Sequence, residues 1–73
     1  MSPRLPTLTS QEVLVILERK GFVQVRQSGS HIVLKHPDGR RTTVPVHKGR
    51  DLGRGLLRQI MRDANLTVGD LTK

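Results

Sequence analysis

His31 is the residue of this 73-residue chain whose type and setting best suit chemistry. It follows the turn-forming residues 28–30 and opens a segment in which the apolar Ile32 and Leu34 alternate with other residues, including Lys35. Successive side chains of a strand point to opposite faces, so His31 and Lys35 share the face that the apolar residues avoid. We therefore predict an exposed histidine at the start of a half-buried strand.

An exposed histidine beside cations is suited to cutting RNA without a metal ion. The RNA 2′-hydroxyl is the nucleophile, so the protein supplies a base, an acid and positive charge near the phosphate. Imidazole, with an unperturbed pKa of about 6.5, suits both proton transfers. Strand pairing predicts Arg26 across from His31, and His47 opposite His31 or one diagonal step away. His47 or Lys48 is then a second proton carrier, or only holds the phosphate.

The histidines also have interpretations without chemistry. A histidine on an open sheet face is commonly only solvated, and His47 suits a structural or phosphate-contacting role equally well. His36 points to the face opposite His31, so the two do not chelate a metal together, and we predict a structural or solvated role for His36. Because the six carboxylates are scattered and the chain has no cysteine, we predict no metal site and no cofactor.

The net charge indicates a polyanionic partner. Thirteen lysines and arginines stand against six acidic residues, a formal charge of +7 that most simply favours nucleic acid. Several cations surround the start of a predicted helix, where free backbone N–H groups also attract phosphate. We predict RNA contacts from Arg26, Lys35, His47, Lys48, Arg50 and Arg54.

The chain is predicted to form one small domain after a short arm. Residues 1–8 contain Pro3 and Pro6 and no periodicity, so we predict a flexible arm there and a single domain over residues 9–73. No window is apolar for long enough to span a bilayer, and no charged-then-apolar leader opens the chain. We therefore predict a cytoplasmic protein with no membrane partner.

The elements that position these residues are predicted to be a helix, three strands and a second helix. Thr9 and Glu12 have capping-box spacing at the start of a helix over residues 10–20, and Gly21 suits its end. Alternating segments at residues 22–27, 30–36 and 41–46 are separated by turn signals. Because Pro45 cannot donate to a ladder, we expect the third strand at a sheet edge.

The second helix is predicted over roughly residues 53–64, where an apolar stripe recurs at helical spacing. Asn65 is predicted to cap its C-terminus, and residues 67–70 are predicted to start a short final turn. A hairpin turn at residues 28 and 29 would place Val25 opposite Ile32. The same register places Phe22 across from Lys35. The predicted core face of the sheet, covered by both helices, is Val23, Val25, Ile32, Leu34, Val44 and Val46.

Four pieces of the sequence, in order, resemble the HicA toxins, the small RNA-cleaving partners of bacterial HicA–HicB toxin–antitoxin pairs. Residues 21–31 read Gly-Phe-Val-x-Val-Arg-Gln-x-Gly-Ser-His, and residues 36–40 read His-Pro-Asp-Gly-Arg. Residues 44–47 read Val-Pro-Val-His, and residues 55–60 read Gly-x-Leu-Arg-x-Ile. Together these pieces cover most of the chain from about residue 13 to residue 64.

The resemblance implies an α+β fold similar to a double-stranded-RNA-binding domain. In this α-β-β-β-α order, two helices pack on one face of a three-stranded antiparallel sheet. It also implies a metal-independent endoribonuclease that cleaves mRNA, with the histidine of the Gly-Ser-His motif, here His31, catalytic. A HicB-type antitoxin protein is implied as the partner that covers the His31 face and neutralises the toxin.

The alternative is a non-catalytic double-stranded-RNA-binding module of the same fold. Such a module would bind the phosphate backbone of A-form RNA through Lys48, Arg50 and Arg54. A DNA-binding protein is less favoured because no recognition-helix or zinc pattern is present. The two RNA hypotheses differ in whether His31 is needed for turnover.

Overall fold

The structure is a computed structural model, and it describes residues 5–47 and 49–72. One antiparallel sheet has the strand order β1-β2-β3, and helices pack against it. The predicted α+β class and α-β-β-β-α order are confirmed, with a short third helix where only a final turn was expected. The elements are α1 (Ser10–Arg19), β1 (Val23–Ser28), β2 (His31–Lys35), β3 (Arg41–Pro45), α2 (Arg54–Ala64) and α3 (Val68–Thr72).

The ends of α1 form as the sequence predicts. The Thr9 hydroxyl accepts a hydrogen bond from the Glu12 backbone N–H, and the Glu12 carboxylate accepts one from the Thr9 N–H at 2.9 Å. This reciprocal capping box satisfies two N–H groups that a helix start otherwise leaves free. Beyond the last turn Gly21 has φ +95°, the positive value that favours glycine.

The two ends of α2 are capped differently. Its N-terminal cap is Gly53, which has no side chain to accept a hydrogen bond. At its C-terminus Asn65 takes the left-handed conformation with φ +55°, and its N–H bonds to the carbonyls of Arg62 and Met61. The predicted cap at Asn65 is confirmed, and within residues 5–47 and 49–72 no side chain caps the N-terminal backbone N–H groups.

The core lies between the sheet and the helices. Its largest fully buried side chain is Phe22, and the inward-facing Ile32, Leu34 and Val44 are buried as predicted. Val46 is half-buried and packs against this cluster. Leu8 is also buried, and its carbonyl accepts a hydrogen bond from the Leu52 N–H at 2.8 Å. The division of the chain at residue 8 stays a prediction.

The predicted register of the first hairpin is wrong. Ser28 pairs with His31, so the loop is residues 29 and 30, one residue later than expected, and a bulge falls between Gln24 and Arg26. Val23 and Val25 are 59% and 52% exposed instead of lying in the core.

The register and the positions of the helices together explain this difference. Val23 pairs with Lys35, so it lies on the open face, away from the helices, and Val25 falls at the bulge. Both α1 and α2 contact the sheet mainly through β3, and all six residues of β1 are exposed. Phe22, predicted to lie across from Lys35 on the open face, is buried instead, and Val23 pairs with Lys35.

Candidate active site

His31 is the first residue of β2 and is exposed. The sheet places it between Ser28 on β1 and Pro45 on β3. Its neighbour Ile32 is buried and pairs with Val44, which fixes the strand so that His31 faces away from the helices. The structure thus places His31 on the open sheet face, at the end nearest the β1–β2 loop.

Arg26 lies near His31 but not directly across from it, as had been predicted. It pairs with Val33, which shares the open face with His31, because opposed residues of an antiparallel pair point the same way. Ser28 occupies the position opposite His31. Arg26 is therefore one diagonal step from His31, and the bulge before it accounts for the shift.

Lys35 is at the other end of the open face. It is four positions after His31, roughly 13 Å along a strand. It pairs with Arg41 on β3, which is also exposed and was not among the predicted site residues. The sequence pattern could have placed Arg41 on the open face, because Arg41 and Thr43 alternate with the core-facing Val44. The strands contain no acidic residue, so the cations of the open face have no partner within the sheet.

His47 lies just beyond the end of β3 and is exposed. Val46 donates its N–H to the Ser30 carbonyl at 2.5 Å, which continues the pairing beside the β1–β2 loop. His47 follows two residues after Pro45, the β3 partner of His31, and lies beyond the last paired residue of β3, so its closeness to His31 stays a prediction. His47 and Gln11 line a groove of about 350 Å³ together with neighbouring residues of the two segments.

A buried serine ties this segment to α1. The Ser10 hydroxyl donates to the Pro45 carbonyl at 2.6 Å and accepts from the His47 N–H at 3.4 Å. Sequence reasoning gave Ser10 no role. The signal was available, because Ser10 precedes Val13, Leu14 and Leu17 at helical spacing and so lies on the buried arc of α1.

The basic loop after β3 leads to the start of α2. Lys48 lies outside the described residues. Arg50 and Arg54 are exposed, and the Arg50 N–H donates to the His47 carbonyl at 3.2 Å, which makes a turn beside His47. The first turn of α2 has no acidic residue, whereas α1 has Glu12 in its first turn. The start of α2 at Arg54 is therefore better suited to an anion than the start of α1.

His36 has a structural role at the opposite end of β2. Its Nε2 donates to the Lys20 carbonyl at 3.0 Å, its Nδ1 accepts from the Asp38 N–H at 3.1 Å, and its ring meets Phe22 edge-on. Arg40 completes this cluster by donating to the Ala64 carbonyl at the end of α2. These contacts hold the β2–β3 turn against both helices and leave His36 away from His31.

Two findings about other kinds of site apply to the part of the chain that the structure describes. Within it, no three His, Cys, Asp or Glu side chains come together in a way that could hold a metal ion. No helix there has the length and apolar character needed to cross a membrane.

Comparison with known proteins adds a family to this geometry. A family model described as the HicA toxin of bacterial toxin–antitoxin systems matches residues 10–66, well over half of the chain. The chain belongs to the HicA toxin family. The resemblance inferred from sequence is thereby confirmed at the level of the family. A comparison with curated proteins finds no match.

The matched span of this HicA toxin runs from the first residue of α1 to just past α2. It contains all the predicted site residues, from Arg26 to Arg54. The segment before Ser10 and the short helix α3 lie outside it. The roles of individual residues, His31 included, stay predictions.

Proposed function

We propose that this HicA toxin is a metal-independent endoribonuclease that cleaves mRNA, with His31 as general acid or base. The observation that carries the proposal is the position of His31 in a family member. It is an exposed histidine at the start of β2, one diagonal step from the guanidinium of Arg26 and beside a segment that carries a second histidine.

In the proposed reaction the RNA 2′-oxygen attacks the adjacent phosphorus and the bond from phosphorus to the 5′-oxygen breaks. One group removes the 2′-proton and one protonates the leaving 5′-oxygen, and His31 performs one of these transfers. Arg26 stabilises the charge that develops on the phosphate oxygens. His47 or Lys48 is the candidate for the other transfer. The products carry a cyclic phosphate on one side and a 5′-hydroxyl on the other.

The RNA contacts are proposed to extend on both sides of His31. Arg26 and Lys35 contact phosphates along the open face, and His47 and Lys48 contact phosphates beyond the end of β3. Arg50 and Arg54 hold a phosphate at the start of α2, where Gly53 leaves backbone N–H groups without a side-chain acceptor. Arg41, paired with Lys35, adds a further cation to this surface.

The partner proposed for this toxin is a HicB-type antitoxin protein that covers the His31 face. An acidic or bulky cover would exclude the RNA backbone from the same cations and neutralise the enzyme. Because mRNA, the proposed substrate, is present in the bacterial cytoplasm, we propose that the toxin acts there.

The test is cleavage of a long single-stranded RNA in excess chelator by the parent chain and by His31→Ala, with RNA binding followed in parallel. A DNA copy of the substrate serves as the control, because it lacks the 2′-hydroxyl nucleophile. We expect the parent to cut only the RNA and to leave 5′-hydroxyl ends. His31→Ala should bind RNA within about twofold of the parent and lose cleavage by about 100-fold or more, the range of a lost general acid or base.

Other results would change the proposal. Equal cleavage by both proteins would remove His31 from the mechanism and make His47→Ala the next variant to test. Binding without cleavage by the parent would favour the non-catalytic double-stranded-RNA-binding module. Cleavage that chelator abolishes would contradict the metal-independent mechanism.

A further inference from the structure

The outer edge of β1 is open. β1 is the first strand of the order β1-β2-β3, so only its inner edge is paired, and all six of its residues are exposed. Among the described residues, no backbone hydrogen bond leads from Val23–Ser28 to anything but β2. Such an edge presents unpaired N–H and C=O groups to which an extended chain can add as a new strand.

Exposed apolar side chains mark the same strand. Val23 is 59% exposed and Val25 is 52% exposed, and the only other large hydrophobic residue exposed in the described part of the chain is Val15, at 48%, on α1. Two of the three thus lie on one edge strand with a single residue between them. A partner laid along that edge would remove both from water.

The charges of the sheet determine which partner fits. Its strands contain Arg26, Lys35 and Arg41 and no acidic residue, and the whole chain carries +7. A second copy of the chain would bring like charges together at the edge. An acidic segment would instead place carboxylates beside Arg26, and beside Lys35, which Val23 faces across the first ladder.

We propose that the outer edge of β1 is the docking site for an extended, acidic segment of a protein partner, which adds to the sheet as a fourth strand. The inference rests on the proposed function in taking that partner to be the HicB-type antitoxin. Ser28 at the end of β1 pairs with His31, so a strand beside β1 passes two strand spacings from His31, about 10 Å. Carboxylates on this strand therefore compete with RNA phosphates for the cations next to His31.

The test measures, by calorimetry, the affinity of the cognate HicB-type antitoxin for Val23→Asp, Val25→Asp and Val15→Asp. The last variant is the matched control, because it makes the same change in charge at a similarly exposed valine on α1. We expect each β1 variant to bind at least tenfold more weakly and the control to bind within twofold of the parent. Amide hydrogen exchange in the parent complex should be slowed along residues 23–28.

The exchange measurement needs no variant, so the test stands even if a substitution impairs folding. Unchanged affinity of both β1 variants, or unprotected β1 amides in the complex, would overturn the proposal. Equal weakening by Val15→Asp would do the same, because it would assign the effect to net charge. Protection of β1 by added RNA, or by self-association of the toxin without antitoxin, would also overturn it by assigning the edge to another occupant.

The readouts separate this proposal from the catalytic one. A parent chain that fails to cut RNA but loses antitoxin affinity through the β1 variants would leave the docking site standing and end the ribonuclease proposal. A parent chain that cuts RNA and whose β1 variants bind antitoxin normally would support the ribonuclease proposal and contradict the docking site.

Discussion

Replacing Gly21 with alanine should destabilise the fold through two separable effects. Gly21 follows α1 with φ +95°, where any residue with a Cβ is strained. A Cβ built there would lie 2.9 Å from Nε2 of His36, the atom that donates to the Lys20 carbonyl. The alanine methyl group therefore meets both an unfavourable backbone conformation and a ring held in place by a hydrogen bond.

The size of the effect follows from these two contributions. Holding a non-glycine residue in a sparsely populated backbone region costs about 1–3 kcal/mol. Moving the His36 ring gives up a hydrogen bond worth about 0.5–1.5 kcal/mol. We expect Gly21→Ala to lower the free energy of unfolding by about 2–4 kcal/mol. For a domain of this size the melting temperature should fall by about 10 °C or more.

Gly39→Ala is the control that separates the contributions. Gly39 has φ +100°, close to that of Gly21, but a Cβ there would have no heavy atom within 4 Å. Urea unfolding at neutral pH, followed by circular dichroism, should show Gly21→Ala to be the more destabilised by about 1 kcal/mol. Equal losses for the two variants would refute the steric argument and leave only the backbone cost.

The Gly21→Ala variant also tests whether His36 and its contacts lie apart from the candidate active site at His31. His36 follows the last residue of β2, whereas His31 is the first. Per folded molecule, RNA cleavage by Gly21→Ala should therefore match the parent at a temperature where both are folded. A large loss of turnover in the folded variant would contradict the separation of the two histidines.

Two further predictions concern charge. The Lys20 ammonium, hydrogen-bonded to Asp70 at 2.7 Å, and the Thr67 N–H, which donates to the same carboxylate at 2.8 Å, together lower the pKa of that carboxyl from 3.8 to about 2. Because the folded pKa is the lower one, the stabilisation is present above about pH 4 and is lost as the pH falls toward 2. The urea midpoints of the parent and Asp70→Asn should differ at pH 6 and converge toward pH 2, and a constant difference would contradict this. Separately, Arg54→Gln should weaken RNA binding and lower its salt-dependence slope by about one, whereas Arg62→Gln at the other end of α2 should change neither, as measured by fluorescence anisotropy across salt concentrations.

Features decided by neighbouring residues could be predicted from the sequence. The capping box of Thr9 and Glu12 needs only residues three apart, and the left-handed Asn65 and the turn at residues 37–39 are equally local. The face of β2 was also predictable, because Ile32 and Leu34 alternate with His31 and only one face of the strand is apolar. The exposed position of His31 followed from that alternation.

The position of Arg26 relative to His31 was not predictable, because it depends on the register of β1. A bulge and a turn shifted by one residue are both compatible with the same alternating sequence, and local pattern does not distinguish them. The contacts of Ser10 with Pro45 and His47 join residues 35 or more positions apart. Only the packed fold brings such residues together.

By itself, then, the sequence determined the α-β-β-β-α order, the ends of α1 and α2 and the open face on which His31 lies, because each of these depends on spacings of a few residues. The tertiary structure decided which part of the sheet the helices cover. Since α1 and α2 pack mainly over β3, Val44 is buried. Val23 and Val25 remain exposed, because the register turns Val23 to the open face beside Lys35 and places Val25 at the bulge. Burial depends on the register and on what lies above a side chain, and residue type alone encodes neither.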